Sequence, residues 1–311
     1  MVAVAVAASL GLALITAVVW PREKEPEYRG KKLSEWIDIY AVQKRMGGDE
    51  GVAANAVGKI GTNALPFLIS WTEYRPPPWK IRGLQLARWL KSNGWGGETL
   101  FRELFKYEIR RTYASLGFEI LGESAGPAAP ELARIVNQGN RIEVIFALEH
   151  LGRNALPALT GLVTNTTLPV SSRGLAIFAL GHISSRGKDL GTNARCVVPA
   201  LVQSLEQPTL AIDAARTLGQ FRLESELCVP ALVRCMGSPD QRLQSEAARA
   251  LGAFRKEAKA AVPELLRVLR EPPGVIMADG FPEEPSPVRQ AAKDALRFIA
   301  PEVLEKANQE R

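Results

Sequence analysis

The sequence predicts an all-α fold, an α-solenoid (superhelix) in which helical hairpins stack one after another. Apolar helices that begin with a proline recur at a nearly constant interval, and alanine-rich helices recur between them at the same interval. Aromatic residues make up only 7% of the chain, and the alternation of apolar and polar residues that marks strands is scarce. Self-similarity with a period of roughly 33 residues and two helices per period is typical of stacked helical repeats.

The link between two such helices is visible in a ten-residue motif. KIGTNALPFL (59–68) recurs as HLGRNALPAL (150–159). The glycine in each copy follows an apolar run, where a helix would end in the left-handed conformation that a Cβ disfavours. The proline five residues later would occupy the first position of the next helix, because it has no N–H to leave unpaired there. These positions are Gly61 and Pro66 in the first copy, Gly152 and Pro157 in the second.

Both helices of the hairpin recur in degenerate form. Pro199, Pro230 and Pro263 each open an apolar helix, and the intervals between them are 31 and 33 residues. The preceding helices repeat as well, since VIFALEHLG and AIFALGHIS begin 32 residues apart and AARTLGQF and AARALGAF begin 33 apart. Each repeat therefore contains a first helix, a turn and a proline-led second helix.

These motifs resemble a known repeat family. The pattern P-x-L-x-x-x-L, a short turn and V-R-x-x-A-A-x-A-L-G is similar to the HEAT repeats of bacteria, in the short form also found in phycobilin-lyase-like proteins. It appears in QRLQSEAARALG (241–252) and SPVRQAAKDAL (286–296). The resemblance covers residues 31–311 and implies about eight to nine HEAT-like helical hairpins. The matching positions are packing positions, so the resemblance implies an architecture and says little about activity.

The N-terminal residues do not fit the repeat. Residues 2–20, VAVAVAASLGLALITAVVW, contain neither a charge nor a proline over 19 residues, a length that can span a bilayer as a helix. Trp20 suits a membrane interface, and its neighbours are too bulky for efficient signal cleavage. We expect a membrane anchor over 1–20, with a cleaved signal peptide or a buried helix as alternatives. A Pro/Glu linker over 21–30 would lead to the repeats over 31–311.

The side of the membrane can be argued in two directions. Basic residues follow the apolar run at Arg22, Lys24, Arg29, Lys31 and Lys32, which by the positive-inside rule would hold the repeats in the cytoplasm. Repeat proteins with an N-terminal apolar segment and a short Pro/Glu linker resemble anchored, exported proteins. We expect a single-pass protein with extracytoplasmic repeats, and the cytoplasm is the alternative.

A proline-rich insertion over 271–287 divides the last hairpin. The stretch REPPGVIMADGFPEEPSPVR (270–289) contains five prolines, four acids and an apolar VIM. Insertions in solenoids project as loops and often carry binding. A loop without a role fits the composition equally well.

No residue pattern indicates catalysis, a cofactor or a metal. Cys196, Cys228 and Cys235 form no C-x-x-C pair, and we interpret them as small apolar side chains in helix contacts. His150 and His182 occupy equivalent positions in adjacent repeats with too few acids nearby for a metal site, which indicates a structural role. The sequence also lacks G-x-S-x-G, a phosphate-binding glycine loop and H-E-x-x-H.

One stretch combines basic and aromatic residues. Residues 71–113 contain four of the six tryptophans, and between 75 and 111 nine basic residues stand against three acids. Basic residues among aromatic ones suit an acidic peptide, an anionic polymer or nucleic acid, whereas aromatics filling an irregular core beneath a solvated basic face are the alternative. The candidate binding patch is Arg82, Arg88, Trp89, Trp95, Arg110 and Arg111.

These observations favour a non-enzymatic scaffold that is anchored in a membrane and binds a protein partner, with an acidic protein as one candidate. An enzyme of the lyase-like HEAT group is one alternative, and the absence of a candidate catalytic site disfavours it. A protein that binds an anionic polymer or nucleic acid through residues 75–111 is the other, and exported repeats would disfavour nucleic acid. No small molecule is indicated.

Overall fold

The computed structural model describes residues 24–75, 78–94, 109–139, 141–186, 190, 192–270 and 286–309. The anchor predicted over 1–20, Trp95 and most of the insertion predicted over 271–287 lie outside these residues. Within the described part of the chain, no helix is both long and apolar enough to cross a membrane.

The chain divides into two compact units, residues 1–67 and 68–311. The first unit contains a short antiparallel hairpin of β1 (Glu27–Tyr28) and β2 (Lys31–Lys32), followed by α1 (Leu33–Met46) and α2 (Gly51–Ile60). Helix α1 buries one face against α2, and the indole Nε1–H of Trp36 donates to the carbonyl oxygen of Tyr28 at 2.9 Å. This hydrogen bond ties the hairpin to the first helix.

The second unit contains the repeated hairpins. The unit boundary falls inside α3 (Leu65–Glu73). The helices that follow are α4 (Pro78–Ser92), α5 (Ile109–Leu121), α6 (Ala129–Gly139), α7 (Glu143–His150), α8 (Leu156–Thr164), α9 (Val170–Ser185), α10 (Val197–Ser204), α11 (Pro208–Phe221), α12 (Ser225–Met236), α13 (Gln241–Phe254), α14 (Val262–Arg270), α15 (Pro287–Ile299) and α16 (Pro301–Gln309).

The hairpins of the second unit stack in two layers. Helices α5, α7, α9, α11, α13 and α15 are the first helices of their repeats, and each contacts the next one in this order. The second helices α6, α8, α10 and α12 form a parallel row in which each also contacts the next. Because every repeat covers the apolar face of its neighbour, the core runs continuously along the stack. The fold is the predicted all-α solenoid of HEAT-like repeats.

Equivalent leucines form the spine of this core. They occupy the same position in five consecutive first helices, and each is fully buried: Leu148, Leu180, Leu218, Leu251 and Leu296. The residue after each leucine faces the next repeat in α9, α11 and α13, where Gly181, Gly219 and Gly252 allow close approach. The small residues of the sequence motif are thus packing residues, as predicted.

The predicted links are confirmed in part. Gly61 and Gly152 have positive φ angles of 60° and 59°, as expected for glycine at the end of a first helix. The ψ angle of −138° places Gly61 outside the left-handed helical region that the sequence analysis predicted. Short 3₁₀ segments connect the first helix to the second in many of the hairpins. They are Gly61–Ala64, Gly122–Ala128, Gly152–Ala155, Thr192–Cys196 and Arg255–Ala261.

The prolines do not occupy the first helical position. Pro66 and Pro157 are second in their helices, Pro199 is third in α10, and Pro230 is sixth in α12. Proline is tolerated throughout a first turn because the N–H groups there have no partner in the helix. Pro230 lies deeper in its helix because α12 already begins at Ser225. The prediction was therefore right about the segment and wrong about its first residue.

Cysteine burial differs from the prediction at one position. Cys228 and Cys235 are buried between helices, as expected for small apolar side chains, and all three cysteines are free thiols. Cys196 is exposed, because it ends the 3₁₀ segment before α10.

Candidate protein-binding surface

The predicted binding patch lies on two helices. Arg82, Arg88 and Trp89 are exposed on α4, and the side chain of Trp89 is 53% accessible, which is high for a tryptophan. Arg110 and Arg111 lie in the first turn of α5. These three side chains therefore lie at the surface of α4.

The side chains of Arg110 and Arg111 lie beside the C-terminal end of α3. The Nε and Nη2 groups of Arg111 donate to the carbonyl oxygen of Tyr74 at 3.4 and 3.2 Å, and its Nη1 lies 3.8 Å from Oε1 of Glu143. The guanidinium of Arg110 lies 5.9 Å from the centre of the Tyr74 ring, within cation–π range. These two arginines are therefore fixed by contacts made near one helix end.

Two further arginines, which the sequence analysis did not select, belong to the same place. Arg141 is buried and donates from Nη1 to the carbonyl oxygen of Thr72 at 2.6 Å and from Nη2 to that of Glu73 at 3.3 Å. Arg75 is the second residue after the end of α3, and its Nη2 lies over Gly139 beside the side chain of Arg141. We call Arg75, Arg110, Arg111 and Arg141 the arginine cluster.

The arginine cluster caps a helix. The last carbonyl groups of a helix lack partners within it and carry the negative end of its dipole, so cations there are favourable. The like charges oppose one another, however. Burial lowers the pKa of Arg141, and the neighbouring charges of Arg111 and Arg75 lower it further. No sequence signal marked Arg141, because it lies far along the chain from Thr72.

An apolar groove lies on the first-helix layer. It has a volume of about 390 Å³ and runs between α7, α9 and α11. Its lining residues are Phe146, Val170, Ser171, Gly174, Leu175, Phe178, Thr209, Leu210 and Asp213. We call it the first-helix groove.

The groove arises from equivalent positions in two repeats. Phe146 and Phe178 are 32 residues apart in the sequence, and they remain 42% and 43% exposed although both belong to packed helices. In the next two repeats the same position is Arg216 and Arg249. Of these four equivalent positions, only the two in α7 and α9 therefore carry an aromatic side chain.

Charged residues border the groove on the α11 side. Arg216 donates to Asp213 at 3.0 Å and to Glu246 at 3.3 Å, and Arg249 donates to the same Glu246 at 2.9 Å. Each of the two helices therefore has its own ion pair between residues three apart, and Arg216 also links two repeats. Ion pairs of this exposure contribute at most about 1 kcal/mol each.

His182 has a structural partner. Its Nδ1 lies 3.2 Å from Oε1 of the buried Glu149, which also accepts from Nη2 of Arg186 at 2.9 Å. The ring of His182 is 4.2 Å from that of Phe178, centre to centre. These contacts support the structural role predicted for this histidine. Among the described residues, no group of three or more His, Cys, Asp or Glu side chains could hold a metal ion.

Comparison with known proteins agrees with the architecture. Residues 198–280 match the family model of HEAT repeats. The matched segment contains most of α10 and all of α11 to α14, where the hairpins follow one another most regularly. Repeats of this family commonly serve as scaffolds for protein interactions, and their stacked helices present extended binding surfaces. No curated protein matches the chain.

Proposed function

We propose that this protein is a non-enzymatic scaffold that binds a partner protein in the first-helix groove. The exposure of Phe146 and Phe178 beside Val170 carries the proposal. Contiguous exposed apolar surface is uncommon on soluble proteins and marks sites of interaction when polar residues surround it. Aromatic anchors that enter a partner are also typical of the centre of protein interfaces.

The charges beside the groove favour a partner segment that combines apolar and acidic residues. Glu143 lies one turn before Phe146 on α7, and it contacts Arg111 of the arginine cluster. Residues three apart on a helix are neighbours on its surface, so the cluster adjoins the groove. An apolar side chain of the partner would enter the groove while a nearby acidic residue meets the arginines. This is the acidic partner that the sequence analysis expected.

The α4 residues extend the same proposal. Arg82, Arg88 and Trp89 present two cationic groups and one exposed indole on one helix. Arginine and tryptophan are enriched among the residues that dominate binding energies. We include them as a second contact for an acidic partner.

We also propose that residues 2–20 anchor the scaffold in a membrane, with the repeats on the extracytoplasmic side. The uncharged run of 19 residues and the tryptophan that ends it support the anchor. The Pro/Glu linker after it would separate the repeats from the bilayer.

A quantitative capture experiment tests the groove. The full chain is purified in mild detergent, immobilised, and exposed to a detergent extract of the source cells, and captured proteins are measured by mass spectrometry. We expect Phe178→Ser and Phe146→Ser to lose the same specific partner by roughly tenfold or more, since a buried aromatic anchor contributes 2 kcal/mol or more to binding.

Phe298→Ser is the matched control. Phe298 is 58% exposed on α15 but does not line the groove. Its substitution removes an exposed phenylalanine without touching the proposed site, so capture should be unchanged. If all three variants capture the partner as the natural chain does, the groove is not the binding site.

A further inference from the structure

Among the residues that the structure describes, the guanidinium groups of Arg75, Arg111 and Arg141 lie close together, and two carboxylates, those of Glu73 and Glu143, act on them. Arg141 is buried, and its hydrogen bonds are to two carbonyl oxygens of the α3 end. Arg75 is exposed, and within the described residues it forms no hydrogen bond or ion pair. In the described part of the chain, the carboxylate that Arg111 contacts is that of Glu143, at 3.8 Å, which is longer than a hydrogen bond.

The position of Gly139 shows that the guanidinium groups of Arg75 and Arg141 are close together. A Cβ placed on Gly139 would lie 3.4 Å from Nη2 of Arg75 and 3.6 Å from Nε of Arg141. The two guanidinium groups are therefore neighbours beside one glycine, at the end of α6. Both side chains pack closely over Gly139, since even one added carbon atom would lie 3.3 Å from the Cγ of Arg141.

Helix capping does not use the full capacity of these arginines. A guanidinium has five N–H donors, and Arg111 and Arg141 each use two of theirs on the carbonyl groups at the end of α3. The nearby carboxylate of Glu73 is held instead by Arg134, at 2.6 Å. Arg111 and Arg141 therefore keep N–H donors, beyond the two that each uses for capping, near the C-terminal end of α3.

From this geometry we propose that Arg75, Arg111 and Arg141 form a binding site for a phosphate group. Paired guanidinium groups suit the oxygens of a phosphate, which accept two parallel hydrogen bonds from one arginine. A dianion would also relieve the repulsion among three like charges. The phosphate group would belong to a residue of the partner segment, and in this respect the site rests on the proposed function.

Inorganic phosphate is the first probe. The full chain in detergent is titrated with sodium phosphate by calorimetry, in a chloride buffer, and sodium acetate is titrated separately. We expect saturable binding of phosphate that is at least about tenfold tighter than that of acetate, because acetate carries one charge and fewer acceptor oxygens. Equal affinity for acetate, or no saturable phosphate binding, would overturn the proposal.

Three variants locate the site. Arg75→Gln should weaken phosphate binding by roughly tenfold, as the loss of one charged hydrogen bond predicts, and it leaves the fold intact because Arg75 is exposed and makes no bond within the described chain. Glu143→Gln should tighten binding, since it removes the carboxylate that competes for Arg111. Arg297→Gln, an exposed arginine of α15, is the control and should bind phosphate normally. Wild-type affinity in Arg75→Gln and Glu143→Gln would contradict the assignment.

Phosphoserine as a free amino acid distinguishes the source of the phosphate. Because Arg75 and Arg111 are open to solvent, a phosphate group attached to a side chain should bind as tightly as inorganic phosphate. Binding of inorganic phosphate with rejection of phosphoserine would overturn the assignment to a partner residue.

These outcomes separate this inference from the proposed function. If phosphate fails to bind while Phe178→Ser still loses the partner, only the phosphate site is wrong. If phosphate binds as expected while the phenylalanine variants capture the partner normally, the groove is wrong and the phosphate site stands.

Discussion

Gly219 of α11 and Ala250 of α13 are in such close contact that a Cβ on Gly219 would lie 2.8 Å from the Cα of Ala250. Gly252 meets Ala295 in the same way in the next repeat, at 2.9 Å. Real Cβ atoms do not approach backbone atoms so closely, and backbone cannot move aside as the end of a side chain can. The contact between neighbouring first helices therefore depends on glycine at these positions.

We predict that Gly219→Val destabilises the fold. Three added carbon atoms would force α11 away from α13, and overpacking of this kind costs roughly 2–3 kcal/mol. The free energy of unfolding should fall by this amount, measured by urea denaturation of the full chain in detergent with circular dichroism as the signal.

Gly161→Val is the matched control for this substitution. Gly161 also lies within a helix, α8, but a Cβ there would meet no atom within 4 Å. A substitution in open space changes stability by no more than about 0.5 kcal/mol. Because valine is a better helix former than glycine, helix propensity does not oppose either change. Equal destabilisation by both valines would show that the contact with Ala250 does not set the cost.

The sequence predicted this packing because it is local and repeated. AARTLGQF and AARALGAF carry the same small residues at the same spacing, and a period of 33 residues allows few folds other than stacked hairpins. The exact start of each second helix was less predictable. Proline is acceptable at several positions of a first turn, so Pro199 and Pro230 did not fix where α10 and α12 begin.

Arg255 occupies a position that glycine holds in other repeats. Its φ and ψ are 53° and −132°, close to the 60° and −138° of Gly61 at the equivalent helix end. An L-residue held in such a conformation is strained by roughly 1–3 kcal/mol. We predict that Arg255→Gly stabilises the protein by about 0.5–1 kcal/mol, after the entropy of glycine and the contact with Phe298 are subtracted.

The reverse change at Gly61 checks the cause. A Cβ on Gly61 would touch nothing within 4 Å, so Gly61→Ala introduces the backbone strain alone. It should lower the melting temperature, while Arg255→Gly raises it. A lower melting temperature for Arg255→Gly would mean that its side-chain contacts outweigh the strain.

The binding surface was only partly visible in the sequence. Arg110 and Arg111 were selected because they lie in a basic stretch, and the structure places them beside Tyr74. Arg141 was missed because its partners, the carbonyl oxygens of Thr72 and Glu73, are distant in sequence and backbone groups leave no compositional signal. Phe146 and Phe178 belong to the repeated segments VIFALEHLG and AIFALGHIS. Only the structure shows that both side chains are exposed, although most repeated apolar residues of the chain are buried.

The three thiols should differ in reactivity. Burial raises the pKa of Cys228 to about 12, the nearby Glu224 adds to this, and burial also raises the pKa of Cys235. Since the thiolate is the reactive form, a disulfide reagent at pH 8 should modify one exposed thiol rapidly in the native protein and three in denaturant. Cys196→Ser should remove the rapid phase. A rapid phase that persists in Cys196→Ser would show that the region around Cys228 opens readily.

The raised pKa of Cys228 also predicts a dependence of stability on pH. The unfolded thiol loses its proton above about pH 8.5, whereas the folded thiol keeps it to about pH 12. In this window the native state binds the extra proton, so the free energy of unfolding falls as the pH rises. Cys228→Ala should make that fall smaller, measured by urea denaturation between pH 8 and pH 11.

Residues 2–20 are predicted to hold the protein on membranes. The full chain should sediment with lipid vesicles and resist extraction by alkaline carbonate, because an apolar helix of this length leaves the bilayer only at great cost. A chain that begins at Pro21 should remain in the supernatant and show the same helical circular dichroism. Aggregation of the shortened chain, with a full chain that is soluble without detergent, would show that the apolar run belongs to the protein core.

Charge reversal at Arg88 and Arg110 tests the acidic character of the partner. Arg88 is exposed on α4, and Arg110 lies beside Tyr74 near the groove. Replacing both by Glu should weaken capture of the partner by about tenfold at low salt, because rim charges act through long-range attraction. The loss should be smaller in high salt, where screening has already removed much of that attraction.

Arg297→Glu provides the control for this reversal, since it makes the charge change of one of the two substitutions on an exposed arginine of α15. Melting temperatures of Arg88→Glu and Arg297→Glu should remain within a few degrees, as changes at exposed charges shift stability by no more than about 0.5 kcal/mol. Equal capture by the double variant would show that the arginines of α4 and α5 are an ordinary solvated face. A large fall in melting temperature, with hydrogen exchange increased only near residues 71–121, would show that they stabilise their own repeats, because repeats contact only their neighbours.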